Sequence, residues 1–139
     1  MRKFGTVSAV ILLALTLASC SQEEGKKAKE DAIIAFAETN YEYGEIPFGG
    51  DGECEFFFRN TGETPLVLTH VKSTCGCTVP DWPHEPVKAG EQGIIRVSYD
   101  TQRVGFFKKS VYVYSNASNG AQRLYISGRV KPYDQEAVN

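Results

Sequence analysis

From Ala32 to Val130 apolar residues recur at every second position in short runs, and Gly, Pro, Asn or Asp closes each run. Successive side chains of an extended strand point to opposite faces, so a period of two implies strands with one buried face; a helix would need a period of about 3.6. Cys54, Phe56 and Phe58 alternate with Glu53, Glu55, Phe57 and Arg59. Ile95, Val97 and Tyr99 alternate with Arg96, Ser98 and Asp100, and Val111 and Val113 with Tyr112 and Tyr114. Leu124, Ile126, Gly128 and Val130 alternate with Arg123, Tyr125, Ser127 and Arg129. One apolar and one wettable face per strand is the pattern of two stacked sheets, each burying one side.

The breaks carry turn chemistry. Asn60-Thr61-Gly62 and the run from Ser115 to Gly120 favour tight reversals. Pro80, Pro83 and Pro86 allow no central strand between Pro80 and Gly90, because proline cannot donate to a ladder. No stretch after Ile33 has a helical period. The expected fold is all-β: a single immunoglobulin-like antiparallel β-sandwich over residues 32–131, followed by a C-terminal tail at 132–139.

The N-terminal region reads differently. Arg2 and Lys3 precede an 11-residue, largely apolar run from Val7 to Leu17, and Leu17-Ala18-Ser19-Cys20 follows. Eleven residues are about half of what a transmembrane helix requires, so residues 1–19 are expected to be a signal peptide. An ordinary secretory signal could end at Ala18-Ser19, but small residues directly ahead of a cysteine resemble a bacterial lipobox. Cys20 is then the lipidation site and the first residue of the mature chain. The expected covalent group is the lipid on Cys20, with no other cofactor. Residues 20–31 follow as acylated cysteine and tether: Ser21 to Asp31 has no apolar residue larger than alanine and cannot bury surface. The expected location is the outer membrane, with the domain facing the periplasm or the cell surface. Glu23-Glu24 resembles the acidic surface-export signal of some Gram-negative lipoproteins, although charged tethers are common.

Removing residues 1–19 takes away Arg2 and Lys3 and no acid, leaving 13 basic and 17 acidic residues and a formal charge of −4. That excess argues against nucleic acid as a partner and against electrostatic docking on anionic lipid. The expected partners are the membrane, through the lipid, and a protein or glycan of the envelope.

With Cys20 lipidated, Cys54, Cys75 and Cys77 remain, so at most one disulfide can form within the chain. Cys54 shares the phase of Phe56 and Phe58 and is expected to face the core. Cys75-Gly76-Cys77 allows three readings. The cysteines can pack at a strand end, one of them bridged to Cys54. They can form a redox or strained disulfide pair, although residues i and i+2 of a strand lie about 6.6 Å apart and must bend to close, which Gly76 permits. They can hold a soft metal with His84, although no fourth ligand is evident and His70 lies in an apolar run.

The chain has no Gly-x-Ser-x-Gly, no His-Glu-x-x-His and no phosphate-binding glycine loop, so no catalytic residue is expected. Trp82, Tyr112, Tyr114 and Tyr125 could form a ligand platform, yet tyrosines are also ordinary cross-strand residues on a half-exposed sheet.

Phe36 with Tyr43-Gly44-Glu45-Ile46, Phe56 to Gly62, Leu66 to Val71, and Cys75-Gly76-Cys77-Thr78-Val79-Pro80 occur in that order. Gly90-Glu91, Gly93, Ile95, Gly105 and Lys109-Ser110 continue it. Together, over about residues 34–130, they resemble the bacterial family of unknown function DUF1573. Members of that family are mostly lipoproteins or secreted proteins with an immunoglobulin-like domain similar to the Hydin-type sandwich. Thr74 stands where the family usually has serine, and Ala89 replaces the proline of its Pro-Gly-Glu turn. The resemblance implies architecture and location, and it brings no catalytic residues. The expected function is therefore a non-enzymatic, membrane-tethered interaction module of the envelope, presenting loops or sheet edges to a partner, β-augmentation included. The alternative is redox or soft-metal handling at Cys75 and Cys77.

Overall fold

A computed structural model describes residues 31–133. The expected signal peptide, Cys20, nearly all of the expected tether and the tail beyond Tyr133 lie outside the described residues. Within them the chain forms eight strands and no helix. They are β1 (Ile34–Phe36), β2 (Asn40–Ile46), β3 (Glu53–Asn60), β4 (Leu68–Ser73), β5 (Thr78–Asp81), β6 (Gln92–Tyr99), β7 (Gly105–Ser115) and β8 (Gln122–Val130). The first sheet has the order β1-β3-β6-β5 and the second β2-β8-β7-β4.

The alternating runs become the strands that line the interior. In β3 every second residue is buried, from Cys54 through Phe56 and Phe58, and Ile95 and Val97 of β6 face the same interior. Val111, Val113, Leu124, Ile126 and Val130 close the core from the second sheet. Each such side chain contributes roughly 1.5–3 kcal/mol by leaving water. Tyr99 and Phe107 stack across the two sheets with ring centroids 3.7 Å apart.

One pairing departs from the antiparallel expectation. β2 lies parallel to β8, whereas every other strand pair is antiparallel. The cause is a sheet switch within three residues. The Ala37 amide still donates to the Phe57 carbonyl of the first sheet, at 3.0 Å. The Thr39 carbonyl already accepts from the Tyr125 amide of the second, at 2.8 Å. Too little chain remains for a reversal, so β2 continues in its direction along β8.

The other crossover joins β4, at the edge of the second sheet, to β5, at the edge of the first. It carries Cys75-Gly76-Cys77. Pro80 lies in β5 and is tolerated there because β5 is an edge strand. The run from Ser115 to Gly120 does reverse the chain, with Gly120 at φ 76°. It also ties distant segments together. The Asn116 side chain accepts from the Val67 amide at 2.8 Å and donates to the Pro65 carbonyl at 3.0 Å. The Asn119 side chain makes the equivalent pair with the backbone of Ile34.

Candidate functional site

Cys75 and Cys77 are joined in a disulfide with Cα atoms 5.2 Å apart, shorter than the i to i+2 spacing of a strand, so the chain has bent between β4 and β5. The bend is held by more than sulfur. The Ser73 hydroxyl is shared between the carbonyls of Cys75 and Thr78, both at 2.6 Å. The Thr74 amide donates to the Ser110 carbonyl at 3.1 Å, and the Asp100 amide donates to the Cys77 carbonyl at 2.8 Å. Cys77 is buried and Cys75 is half-buried. The Thr78 hydroxyl lies 3.7 Å from the Cys75 sulfur and 3.9 Å from the Cys77 sulfur. Gly76 is exposed and lies outside the left-handed region, and a Cβ added there would meet nothing within 4 Å. The bend therefore does not depend on glycine's extra freedom.

This arrangement corrects two readings of the cysteines. Cys54 is not bridged to either partner; it is a free thiol buried in the core. Burial pushes its pKa above the ordinary value, against a smaller lowering by the Tyr43 hydroxyl beside it. Tyr43 is itself raised, chiefly by burial and then by Cys54, and its hydroxyl donates to the Gly52 carbonyl at 2.7 Å. The soft-metal reading loses its ligands, since both sulfurs are spent in the disulfide. His84 packs instead against Trp82, at 5.2 Å between ring centroids, with His70 on the same indole at 6.3 Å. Among the described residues no three of His, Cys, Asp and Glu are grouped to hold a metal ion.

The tyrosines form a second feature, on the outer face of the second sheet. Arg123 of β8 lies over the rings of Tyr112 and Tyr125, its guanidinium carbon 4.7 and 5.2 Å from their centroids, and it donates to the Tyr112 hydroxyl. Lys108 lies 5.7 Å from the Tyr125 centroid. Arg129 covers Phe106 at 5.0 Å and pairs with Glu45 at 3.5 Å. Phe106 is 83% exposed and Tyr114 41%. The sequence reading missed Phe106, Lys108 and Arg123 as parts of this face. The phase of β7 could have located Phe106, because Phe107 shares the inward phase of Val111 and Val113. Trp82 does not join the face; it packs against the core, with His70 and His84 on its indole.

The model of a family described as "Protein of unknown function (DUF1573)" matches residues 34–130. A search of curated proteins returned no match. Among solved structures, the chain is similar to a protein of unknown function from Porphyromonas gingivalis W83, with a TM-score of 0.64 at 16% identity. That match covers 70% of this chain and 46% of the other, so the chain spans less than half the length of that relative. It is also similar to the ASH/PapD-like domain 7 of human CEP192, with a TM-score of 0.63 at 10% identity, covering 76% of this chain and 89% of that one. The CupB2 chaperone of Pseudomonas aeruginosa gives a TM-score of 0.52 at 13% identity, covering 74% and 59%. At such identities the likeness is one of fold alone, and that fold is an immunoglobulin-like, PapD-like β-sandwich.

Proposed function

The chain belongs to the DUF1573 family, and from that premise we propose that it is a non-enzymatic interaction module, held at the outer membrane by a lipid on Cys20. The observation that carries this reading is the aromatic and cationic face of the second sheet. Phe106 and Tyr114 offer large exposed rings, while Arg123 braces Tyr112 and Tyr125. Aromatic rings with polar tips are the side chains that contribute most at recognition surfaces, and bracing lowers the entropy lost when a partner binds.

The sheet edges are poorer candidates. β1 has only three residues and β5 carries Pro80. β2 is interrupted between Glu42 and Glu45, around Gly44 at φ 66°, and β4 has a register shift between Leu68 and His70. Short, bulged, charged or proline-bearing edges resist the addition of a further strand. The face of the second sheet is thus the better contact surface than β-augmentation.

The partner is read as a protein of the envelope. A photo-crosslinking residue at position 106 or 114, activated in living cells, should yield one discrete adduct, and the same residue at position 94 on the opposite sheet should not. Adducts that shift on digestion of cell-wall glycan would replace the protein partner with a glycan. Equal labelling from both sheets would sink the reading.

A further inference from the structure

We propose that the Cys75–Cys77 disulfide is a thiol–disulfide exchange site, which oxidises cysteine pairs in other extracytoplasmic polypeptides. This goes beyond the interaction reading, replacing its non-enzymatic part with a redox activity, and it does not depend on which partner the tyrosine face contacts. It does require the chain to lie outside the cytoplasm.

The disulfide spans a sequence separation of only two residues. A cross-link stabilises mainly by restricting the unfolded chain, and that effect shrinks as the closed loop shortens. The bend it spans is meanwhile held by Ser73 and by the backbone bonds of Thr74 and Cys77. The fold therefore gains little from this bond, whereas the same hydrogen bonds would keep the two sulfurs adjacent after reduction. Exposed disulfides are more readily reduced than buried ones, and of the two residues Cys75 is half-buried whereas Cys77 is buried.

The asymmetry in burial sets the direction of attack. A thiolate of the incoming polypeptide attacks the Cys75 sulfur, forming an intermolecular disulfide. The Cys75–Cys77 bond breaks, and Cys77 leaves as a thiolate beside the Thr78 hydroxyl, 3.9 Å away, which can donate to it. The second thiolate of the polypeptide then attacks its own bridged sulfur, releasing Cys75. Two electrons pass from the polypeptide to the protein. The two protons lost by the polypeptide's thiols end on Cys75 and Cys77. A disulfide of another protein, reacting by the reverse path, restores the site. Cys54 takes no part, being buried in the core as a free thiol.

The test uses the full chain in detergent, equilibrated in glutathione buffers of stepped ratio, then alkylated and mapped by mass spectrometry. Cys75 and Cys77 should convert together between disulfide and dithiol while the far-ultraviolet dichroism stays constant. In parallel, Cys77→Ser and Cys75→Ser variants are offered an oxidised two-cysteine peptide. Cys77→Ser should capture it through Cys75 at least tenfold faster than Cys75→Ser captures it through Cys77. A disulfide that resists millimolar glutathione until the protein unfolds would overturn the proposal. Equal capture by the two variants would also overturn it. If either variant fails to fold, the wild-type titration alone decides, and neither arm bears on the crosslinking result for the sheet face.

Discussion

The side-chain amide of Asn60 donates to the carbonyl of Val87, 27 residues away, at 3.0 Å in the interior of the protein. The same amide donates to the Thr64 carbonyl at 2.8 Å, and its oxygen accepts from the amides of Gly62 and Ile33 at 3.0 and 3.3 Å. Asn60 thus joins the end of β3, the loop before β4, the segment before β6 and the entry of the chain. Asn60→Ala would take one partner from each of these four backbone groups in a site where Asn60 itself is fully buried, although the Val87 carbonyl keeps the Leu66 amide at 2.8 Å. An unsatisfied buried polar group costs about 1–3 kcal/mol, so the expected loss is about 3 kcal/mol. Urea unfolding should show it as a lower midpoint with little change in slope. A shift below about 0.5 kcal/mol would mean that the site relaxes or admits water.

Gly62 matters for a reason that the turn chemistry of Asn60-Thr61-Gly62 does not reveal. Its φ lies outside the left-handed region, but a Cβ there would sit 2.1 Å from the Asp31 carbonyl oxygen and 2.6 Å from the Ile33 nitrogen. The entering chain runs directly over it, held by the Thr61 amide on the Ile33 carbonyl at 2.9 Å and the Glu63 amide on the Asp31 carbonyl at 3.1 Å. Gly62→Ala must push this backbone away and should cost about 1–3 kcal/mol, as overpacking does. Gly76→Ala is the control: it meets open space and should change stability by no more than about 0.5 kcal/mol. Thermal unfolding of the two variants side by side would check the contrast.

These two residues mark how far the sequence could be read. Alternation located the inner faces of β3, β6, β7 and β8, because a two-sheet core imposes its own period on the strands that line it. It could not place β2 parallel to β8, since that direction follows from a three-residue crossover and not from any pattern within β2. It took Asn60 as a turn former because an isolated Asn-Thr-Gly looks the same whether the asparagine faces water or closes a buried junction. The site was legible in the same uneven way. Cys54 faces the core as its phase with Phe56 and Phe58 required. The bond between Cys75 and Cys77 was only one of three readings, because its bend rests on Ser110 and Asp100, far away in sequence, as well as on Ser73 beside it.

Cys54 and Tyr43 give stability a dependence on alkaline pH. Both groups have pKa values raised by burial above ordinary values of 9.0 and 10.0. In the unfolded chain they ionise near those values, whereas in the folded protein they hold their protons. The folded state then binds more protons than the unfolded one, and stability falls as pH rises. Their contribution is complete below about pH 9 and is lost progressively above it, first through the thiol. Cys54→Ala removes the thiol's part and should flatten the decline between roughly pH 9 and 10, at the cost of a small cavity at neutral pH. Urea midpoints from pH 7 to 11 would check this. Parallel curves for the variant and the wild type would assign the alkaline loss to other groups.

The proposed anchor makes the last prediction. Each methylene buried in a bilayer contributes about 0.8 kcal/mol, so one acyl chain holds marginally and two or more hold firmly. A diacylglyceryl cysteine at position 20 with a further chain on its nitrogen meets that condition. The mature chain that the proposed cleavage would leave, at a formal charge of −4, offers no net positive charge to hold it on anionic lipid instead. Cys20→Ala should therefore leave an uncleaved precursor that carries no acyl chain and does not enter the detergent phase as mature protein. Metabolic labelling with a fatty acid, combined with detergent partitioning, reads both effects in one experiment. A Cys20→Ala protein that is still processed to mature size and still enters the detergent phase would place the anchor elsewhere in the chain.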